Sequence, residues 1–398
     1  MKIKIFKFTV GLALCTLGLG LSASAGQRFG GGAGATGAKK DPTITTFDVP
    51  GAGVLPRRGT FANSIAPNSA IAGFTRDDTP GGRGANGARR AFVRDKDGGV
   101  IIFDAPGAGT GPFQGTRAYA LNPSGTVTGW YIGADNVVHA YVRSNQGILT
   151  AFDAPDAGTG PYPEGTFPFS PGSINPEGAI SGYYTDAMNV SHGFVRSKKG
   201  DITEFDALGA GTADGQGTFC FGLNPGGDTT GYYIDEMNVA HGFLRSKKGD
   251  ITTFDAPDAG AVADSFQGTM PSTINPEGAI TGNYLDKMNV YHGFLRAKDG
   301  TITSFDAPGA GAADDSFRGT IPSSINAGGA ITGSYSDEND VNHGFVRAKD
   351  GTITSFDVPG AGAGAGQGTA GNSIAPNGAI TGVYIDMLNV FHGFLRSQ

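Results

Sequence analysis

The chain has six histidines, and imidazole can act as a general base or a metal ligand because it titrates near neutral pH. They lie 49 to 53 residues apart, and each opens a pentad such as the run 292–296, His-Gly-Phe-Leu-Arg. They are His139, His192, His241, His292, His343 and His392. A seventh copy has Arg90 in the histidine position. Because alternation along a strand places His292, Phe294 and Arg296 on one face, we expect that face to contact a neighbouring repeat. We interpret the histidines as structural, with each imidazole hydrogen-bonded to a neighbouring turn.

A Phe-Asp pair recurs seven times at a predicted strand end. The aspartates are Asp48, Asp104, Asp153, Asp206, Asp255, Asp306 and Asp357. A ring of carboxylates could bind cations or sugar hydroxyls, but the simpler interpretation is that each aspartate caps the turn that follows it. The turn from Asp286 to Asn289, also repeated, lacks the dense acidic alternation of a calcium loop. We therefore predict no metal site, and no cofactor motif is present.

Binding residues are expected where one copy departs from the others. The first copy carries an insertion with Arg76, Arg83, Arg89 and Arg90, and the second holds Trp130, the single tryptophan, followed by Tyr131. Arginine forks recognise carboxylates, and exposed aromatics suit sugars, so these six residues form the predicted binding set. Drift in tolerant loops is the alternative. A catalytic site would use Arg90, His139 and Tyr131.

A period near 50 residues indicates one supersecondary unit used seven times. Each copy contains four short β-rich runs separated by Gly and Pro, and no run has helical periodicity. Phe294 and Leu295 are adjacent and both apolar, so their sheet lies between two others. The sequence predicts an all-β, seven-bladed β-propeller of four-stranded antiparallel blades. Residues 43–48 are a fourth strand without its first three, and pairing them with the strand near 390–396 closes the ring.

The two ends of the chain differ in composition. Residues 1–25 have the charged start, apolar run and Ala-Ser-Ala end of a secretory signal, and 26–42 are a glycine-rich tether before the repeats of 43–398. We expect a secreted, periplasmic or cell-surface protein with no membrane span. Cleavage removes three of 29 basic residues and none of 36 acidic ones, leaving 26 − 36 = −10. This balance argues against nucleic acid.

The pentads, including Arg-Ala-Phe at 90–92 and His-Ala-Tyr at 139–141, resemble the His-Ala-Phe (HAF) repeat family of bacterial extracellular proteins. The resemblance covers residues 43–396 and implies a β-propeller-like array without transferable catalytic residues. This chain differs in preferring glycine after the histidine. We therefore expect an exported, non-catalytic binding module whose partner is an extracellular glycan or a secreted or surface protein. The alternatives are a polysaccharide lyase or hydrolase with its site at the channel mouth, and a structural cell-surface repeat protein.

Overall fold

The computed structural model describes residues 42–78, 87–314 and 316–397. The predicted signal, all of the predicted tether except its last residue, and Arg83 lie outside the described residues. Within these ranges all 28 elements are β-strands, grouped in seven units of four. Units 1 to 6 span 59–103, 115–152, 165–205, 217–254, 268–305 and 319–356, and unit 7 joins 368–397 to 43–47. The described part contains no helix that could cross a membrane.

The four strands of each unit follow one another in the chain. The first strands are Gly59–Ile65, Gly115–Leu121, Gly165–Phe167, Gly217–Leu223, Gly268–Ile274, Gly319–Ile325 and Gly368–Ile374. The second strands are Ile71–Arg76, Val127–Ile132, Ile180–Thr185, Thr229–Ile234, Ile280–Leu285, Ile331–Ser336 and Ile380–Ile385. The third strands are Arg89–Arg94, Val138–Arg143, Ser191–Arg196, Ala240–Arg245, Tyr291–Arg296, Asn342–Arg347 and Phe391–Ser397. The fourth strands are Val100–Phe103, Leu149–Phe152, Ile202–Phe205, Ile251–Phe254, Ile302–Phe305, Ile353–Phe356 and Thr43–Phe47.

Strand pairing closes the chain on itself. Within a unit each strand pairs antiparallel with the next, and the start of each third strand makes one parallel residue pair with the first strand of the following unit, as Arg89 does with Gly115. The last such pair joins Phe391 to Gly59, so 21 strands form a closed ring and the seven fourth strands lie outside it. The predicted closure is present, because Thr43 to Phe47 pair antiparallel with the last strand.

Local sequence explains the tight joints between strands. A Cβ at Gly59 would collide with the carbonyl of Phe391, and its φ of 120° suits only glycine. In the turn after the second strand of unit 5, Asp286 accepts hydrogen bonds from the backbone N–H groups of Met288 and Val290, each at 2.9 Å. Asn289 adopts the left-handed conformation at φ 59°. The structure therefore confirms the turn interpretation of this motif.

Neighbouring units are joined by one contact repeated seven times. The arginine that ends each pentad lies over the fourth-strand phenylalanine of the preceding unit, with Cζ 4.6–5.1 Å from the ring centroid. The pairs are Arg94–Phe47, Arg143–Phe103, Arg196–Phe152, Arg245–Phe205, Arg296–Phe254, Arg347–Phe305 and Arg396–Phe356. The buried aromatic of the same pentad meets that ring edge-on, as Phe294 meets Phe254 at 6.2 Å. The pentad thus contacts a neighbouring repeat through its phenylalanine and arginine, as predicted.

Candidate functional site

Each histidine of the pentad pairs with the aspartate that follows the fourth strand of its own unit. The Nδ1 atom lies 2.8–3.0 Å from a carboxylate oxygen in all six pairs. The pairs are His139–Asp153, His192–Asp206, His241–Asp255, His292–Asp306, His343–Asp357 and His392–Asp48. A tyrosine of the second strand lies against each imidazole, with ring centroids 4.8–5.1 Å apart. In five units the turn aspartate faces Nε2 at 3.4–3.7 Å.

The expected bond to a turn is present in two units, where Nε2 of His241 and of His392 lies 3.4 Å from the turn aspartates Asp235 and Asp386. The shorter bond in all six units runs from Nδ1 to the strand-end aspartate of the same unit. The expectation that this aspartate caps the turn after it is wrong, because its carboxylate accepts the imidazole bond instead. The carboxylate lies closer because antiparallel pairing brings the two strand ends together, as it does for Gly293 and Phe305. Where the histidine is replaced, Arg90 Nε lies 2.9 Å from Asp104. The permanently charged Arg90 therefore pairs with the strand-end aspartate of unit 1 as the histidines do in the other six units.

Hydrogen bonding to the aspartate raises the pKa of five imidazoles above 6.5. They are His139, His192, His241, His292 and His392. Burial acts in the opposite direction, and the negative charge of the aspartates adds to the increase. The cationic form is thus favoured, which agrees with the arginine substitution in unit 1. These are repeated structural ion pairs.

The residues considered for catalysis occupy these repeated positions. Arg90 pairs with Asp104, His139 pairs with Asp153, and Tyr131 lies against the His139 ring at 5.1 Å. Each has a counterpart in other units, so they form no arrangement particular to one place in the ring. In the described part of the chain, no group of three or more His, Cys, Asp or Glu side chains is placed to hold a metal ion.

The repeat is broken between units 1 and 2 by three arginines at positions that are uncharged in every other unit. Arg117 is the third residue of the first strand of unit 2, where the other units have Phe61, Phe167, Phe219, Met270, Ile321 and Ala370. Arg76 and Arg89 are cross-strand partners in unit 1. The backbone of Arg89 also pairs with Gly115, two residues before Arg117. We call Arg76, Arg89 and Arg117 the axial arginine cluster.

Arg117 is fixed by an aromatic ring and two carbonyls. Its guanidinium lies 3.9 Å from the centroid of Trp130, the residue opposite it on the next strand. Nη2 donates to the carbonyl of Phe113 at 2.6 Å, and Nη1 donates to that of Gly115 at 3.4 Å. Arg117 is 4 % and Trp130 5 % exposed, so both are buried. These contacts orient the guanidinium but supply no negative charge.

Arg76 and Arg89 are held less completely. Arg76 lies over Phe61 at 4.4 Å and donates from Nη1 to the carbonyl of Arg57 at 3.3 Å. Arg89, which is 5 % exposed, lies 5.4 Å from the Phe113 ring. Among the described residues, neither Nε nor Nη1 of Arg89 has a hydrogen-bond partner. Buried donors without partners are costly, so Arg89 is a site where a ligand oxygen would bind favourably.

The cluster carries positive charge that no described side chain compensates. Of the acids nearest in sequence, Asp78 lies 3.6 Å from Arg58 Nη1, and the same nitrogen donates to the backbone carbonyl of Asp77. Burial lowers the pKa of Arg76 to about 10 and that of Arg117 to about 9. For Arg89 the pKa falls well below its ordinary value, through burial first and then through the other two arginines. An anion would relieve this repulsion.

The surroundings of the cluster are aromatic on one side of the ring only. Units 1 to 4 and the adjoining unit 7 contribute a single buried cluster, whose aromatic members are Phe61, Phe74, Tyr119, Trp130, Phe167, Tyr183, Phe219, Phe221, Tyr232 and Phe391. Units 5 to 7 place Asn283, Ser334 and Val383 at the position of Trp130. Beside the arginines, Phe113 and Tyr162 remain 49 % and 53 % exposed. The site therefore combines buried cations with exposed aromatic faces.

The cluster lies at the end of the ring where the loops between units meet the turns between second and third strands. Gln114 donates to Asn136 across this end at 3.1 Å, and Gln216, Gln267 and Gln367 make the same bond to their own turns. In unit 6 an ion pair of Arg318 with Asp340 replaces the two amides. The axial arginine cluster lies at this end of the ring, among these loops and turns.

The predicted binding residues separate into two groups. Arg76 and Arg89 belong to the axial arginine cluster, and Trp130 lies against its third member, Arg117. Arg90 belongs to a repeated ion pair, and Tyr131 packs against another. The expectation of exposed aromatics is wrong for Trp130 and Tyr131, which are buried because Arg117 and His139 lie against their rings. Sequence reasoning missed Arg117, Phe113 and Tyr162. Aligning the first strands would have shown Arg117 as the one charged residue at its position.

Comparisons with known proteins give weak likenesses. No protein-family model matches the chain, and no curated protein matches it either. Among solved structures, a mutant Aleuria aurantia lectin in complex with Fucα1-6GlcNAc has TM-score 0.41 and 12 % identity, over 78 % of this chain and 96 % of that one. The BP39L lectin of Burkholderia pseudomallei has 0.43 and 9 %, over 84 % and 94 %. A puromycin hydrolase has 0.46 and 14 %, over 83 % and 50 %. All three TM-scores are below 0.5, so none of these likenesses decides the fold or the function.

Proposed function

We propose that the chain is an exported, non-catalytic binding module, a seven-bladed β-propeller of the HAF-repeat kind that binds a glycan at the mouth of its axis. The seven four-stranded units and the seven arginine–phenylalanine contacts between them support the propeller assignment. Each unit then corresponds to one blade, with its first strand near the axis and its fourth strand outermost. The His-Gly-Phe pentads support the family assignment.

The axial arginine cluster is the single observation that carries the binding function. The ring does not require arginines at this junction, because these positions are uncharged in every other unit, and Arg89 and Arg117 lose hydration on burial without gaining a carboxylate. The exposed rings of Phe113 and Tyr162 stand beside the cluster, and aromatic faces are common sugar-binding surfaces. Binding sites are the places where a fold commonly contains residues that lower its own stability, as these buried arginines do.

Binding is favoured over catalysis by the distribution of titratable groups. Every histidine is committed to a structural ion pair, and Arg90, His139 and Tyr131 repeat contacts that are present elsewhere in the ring. General acid–base chemistry requires groups whose environments differ from one another. A lyase or hydrolase would nevertheless be detected as new ultraviolet absorbance or new reducing ends when the protein is incubated with polysaccharides.

A glycan-binding measurement with a matched control tests the proposal. Phe113 and Phe317 occupy equivalent loops, have φ of 67° and 51°, and are 49 % and 50 % exposed. We expect the chain 26–398 to bind at least one cell-wall or extracellular polysaccharide in calorimetric titrations. Phe113→Ala should weaken that binding about tenfold, while Phe317→Ala leaves it unchanged. Absence of binding to every polysaccharide, or equal losses in both variants, would contradict the proposal.

Export is part of the proposal and has its own test. The segment 1–25 supports it, since a charged start, an apolar run and small residues before the cleavage point direct secretion. Fractionation of a bacterial host followed by N-terminal sequencing should recover the protein outside the cytoplasm with Gly26 first. Recovery of uncleaved protein in the cytoplasm would contradict this part.

A further inference from the structure

We infer that the axial arginine cluster recognises the carboxylate of an acidic sugar, so that the glycans bound by this chain are those that contain uronic acids. This inference rests on the proposed glycan-binding function and adds the charge class of the ligand. It follows from three features of the site: the uncompensated charge, the free donors and the exposed aromatic rim.

The first feature is the contrast with other arginines at the same end of the ring. Arg58 lies 3.6 Å from Asp78, and Arg318 pairs with Asp340. The three arginines of the cluster have no such partner in the described ranges. Carbonyl groups and aromatic rings orient them and leave their charge unneutralised. The missing counter-charge is therefore one that arrives with a ligand.

The second feature is the supply of hydrogen-bond donors. Nε and Nη1 of Arg89 and Nε1 of Trp130 are buried and without hydrogen-bond partners in the part of the chain that the structure describes. A carboxylate has two oxygens and accepts several N–H groups, and its bonds to guanidinium are charge-assisted. A neutral sugar hydroxyl can accept one or two of these bonds but leaves the charge of the cluster unbalanced.

The third feature limits the size and charge of the ligand. Phe113 lies over Arg89 and is half-exposed. A ligand therefore reaches the Arg89 guanidinium by displacing the Phe113 ring, and the ligand then packs against that ring. A sugar ring, with apolar C–H faces, suits this position and the neighbouring Tyr162. The chain is acidic overall, at −7 with its leader, which disfavours polyanions of high charge density. A sugar with one carboxylate per ring supplies a negative charge for the arginines, acceptors for the free donors and an apolar face for the aromatic rings.

The single tryptophan provides a direct probe. Trp130 lies under Arg117, so its fluorescence reports the cluster and nothing else in the chain. We would titrate the chain 26–398 with a galacturonic acid trimer and, separately, with the same trimer after reduction of its carboxyls. The expected result is a saturable change in Trp130 emission with the acidic trimer. The reduced trimer should bind about tenfold or more weakly, as should the acidic trimer at high salt.

Two replacements and one control separate this inference from the proposed function. Arg89→Ser and Arg117→Phe introduce residues that units 3 and 4 already carry at these positions, Ser191 and Phe219, and each should weaken binding of the acidic trimer about tenfold or more. The control converts the Arg318–Asp340 pair into the Gln–Asn pair of its neighbours, and should leave the affinity unchanged. Thermal unfolding verifies that each variant is folded.

The outcomes differ for the two proposals. Equal binding of acidic and reduced trimers, or full affinity in Arg89→Ser and Arg117→Phe, would overturn the carboxylate inference while leaving a glycan-binding module. Binding of neutral polysaccharides alone would likewise overturn the carboxylate inference and leave the module. Failure to bind any polysaccharide, acidic or neutral, would overturn both proposals.

Discussion

Arginines have different surroundings in the outer layer of the ring and at the junction of units 1 and 2. At the end of every pentad an arginine lies over a phenylalanine of the preceding unit, as Arg296 lies over Phe254, and the same contact occurs seven times. At the junction Arg89 and Arg117 are buried. The position of Arg89 holds Val138 in unit 2, and the position of Arg117 holds Phe61 in unit 1. The first arrangement adds attraction between units, whereas the second brings like charges together.

This difference separates residues that serve the ring from residues that serve a ligand. A contact found in all seven units is explained by the architecture, and this holds for the histidine–aspartate pairs because Arg90 can replace the imidazole. A costly feature found at one junction only needs another explanation. The two kinds of position should therefore respond differently to mutation and pH.

Removing the outer strand that completes unit 7 should have the largest effect. Deleting residues 43–48 removes a whole outer strand, the Phe47 ring under Arg94 and the Asp48 partner of His392. We expect the Tm to fall by about 10 °C or more. Deleting residues 26–41 is the control and should leave the Tm unchanged. Equal melting curves for the two deletions would contradict the pairing of residues 43–47 with the last strand.

Removing a buried ring from the repeated contact should have the next largest effect. Phe294 is fully buried against Phe254 of the preceding unit. Phe294→Ala should lower the free energy of unfolding by about 3–5 kcal/mol in urea titrations. Phe254 is only half-buried, so Phe254→Ala should cost about half as much. Thr252→Ala, on the exposed fourth strand, serves as the control. A loss below about 1 kcal/mol for Phe294→Ala would contradict its place between units.

The histidine pairs should make stability depend on pH in a defined direction. The pKa of five imidazoles is raised above 6.5 in the folded chain. Their contribution is therefore complete below the unfolded pKa and is lost as pH rises through the folded pKa. The aspartates are about half exposed, so solvent screens each pair. We expect the free energy of unfolding to fall by about 1–3 kcal/mol in total between about pH 6 and about pH 9.

One substitution verifies the origin of that pH dependence. His392→Asn removes one pair, so the fall with pH should become smaller in this variant. Urea unfolding at several pH values gives the answer. Stability that rises over this interval, or that changes equally in His392→Asn, would contradict the ion-pair interpretation.

The architecture could be predicted from the sequence because the repeat shows where each unit begins and ends. The fragments at 43–48 and 390–396 are complementary pieces of one unit, and their pairing follows from that alone. The partner of each histidine could not be derived in the same way. The histidines of units 3 to 6 each have two candidate partners, a turn aspartate six residues before the histidine and a strand-end aspartate 14 residues after it, as Asp235 and Asp255 are for His241. Choosing between them needs the register of the third and fourth strands.

The binding site was only half predictable from sequence. Arg76 and Arg89 stand out because they flank an insertion, and Trp130 stands out because it is the single tryptophan. Arg117 lies inside a regular strand without an insertion, so only its difference from Phe61 and its other equivalents marks it. The burial of Trp130 could not be foreseen, since it depends on Arg117 on the adjacent strand.

The most direct test of the central contrast is the free energy of unfolding of Arg117→Phe without ligand, compared with that of Arg296→Ala. Removing an uncompensated buried charge should leave stability unchanged or raise it by about 1 kcal/mol, while Arg296→Ala should lose about 0.5–1 kcal/mol with its stacking contact. Such a result would mean that Arg117 is kept for something other than folding. A loss in Arg117→Phe as large as that of a buried phenylalanine would show that Arg117 is structural and contradict the account.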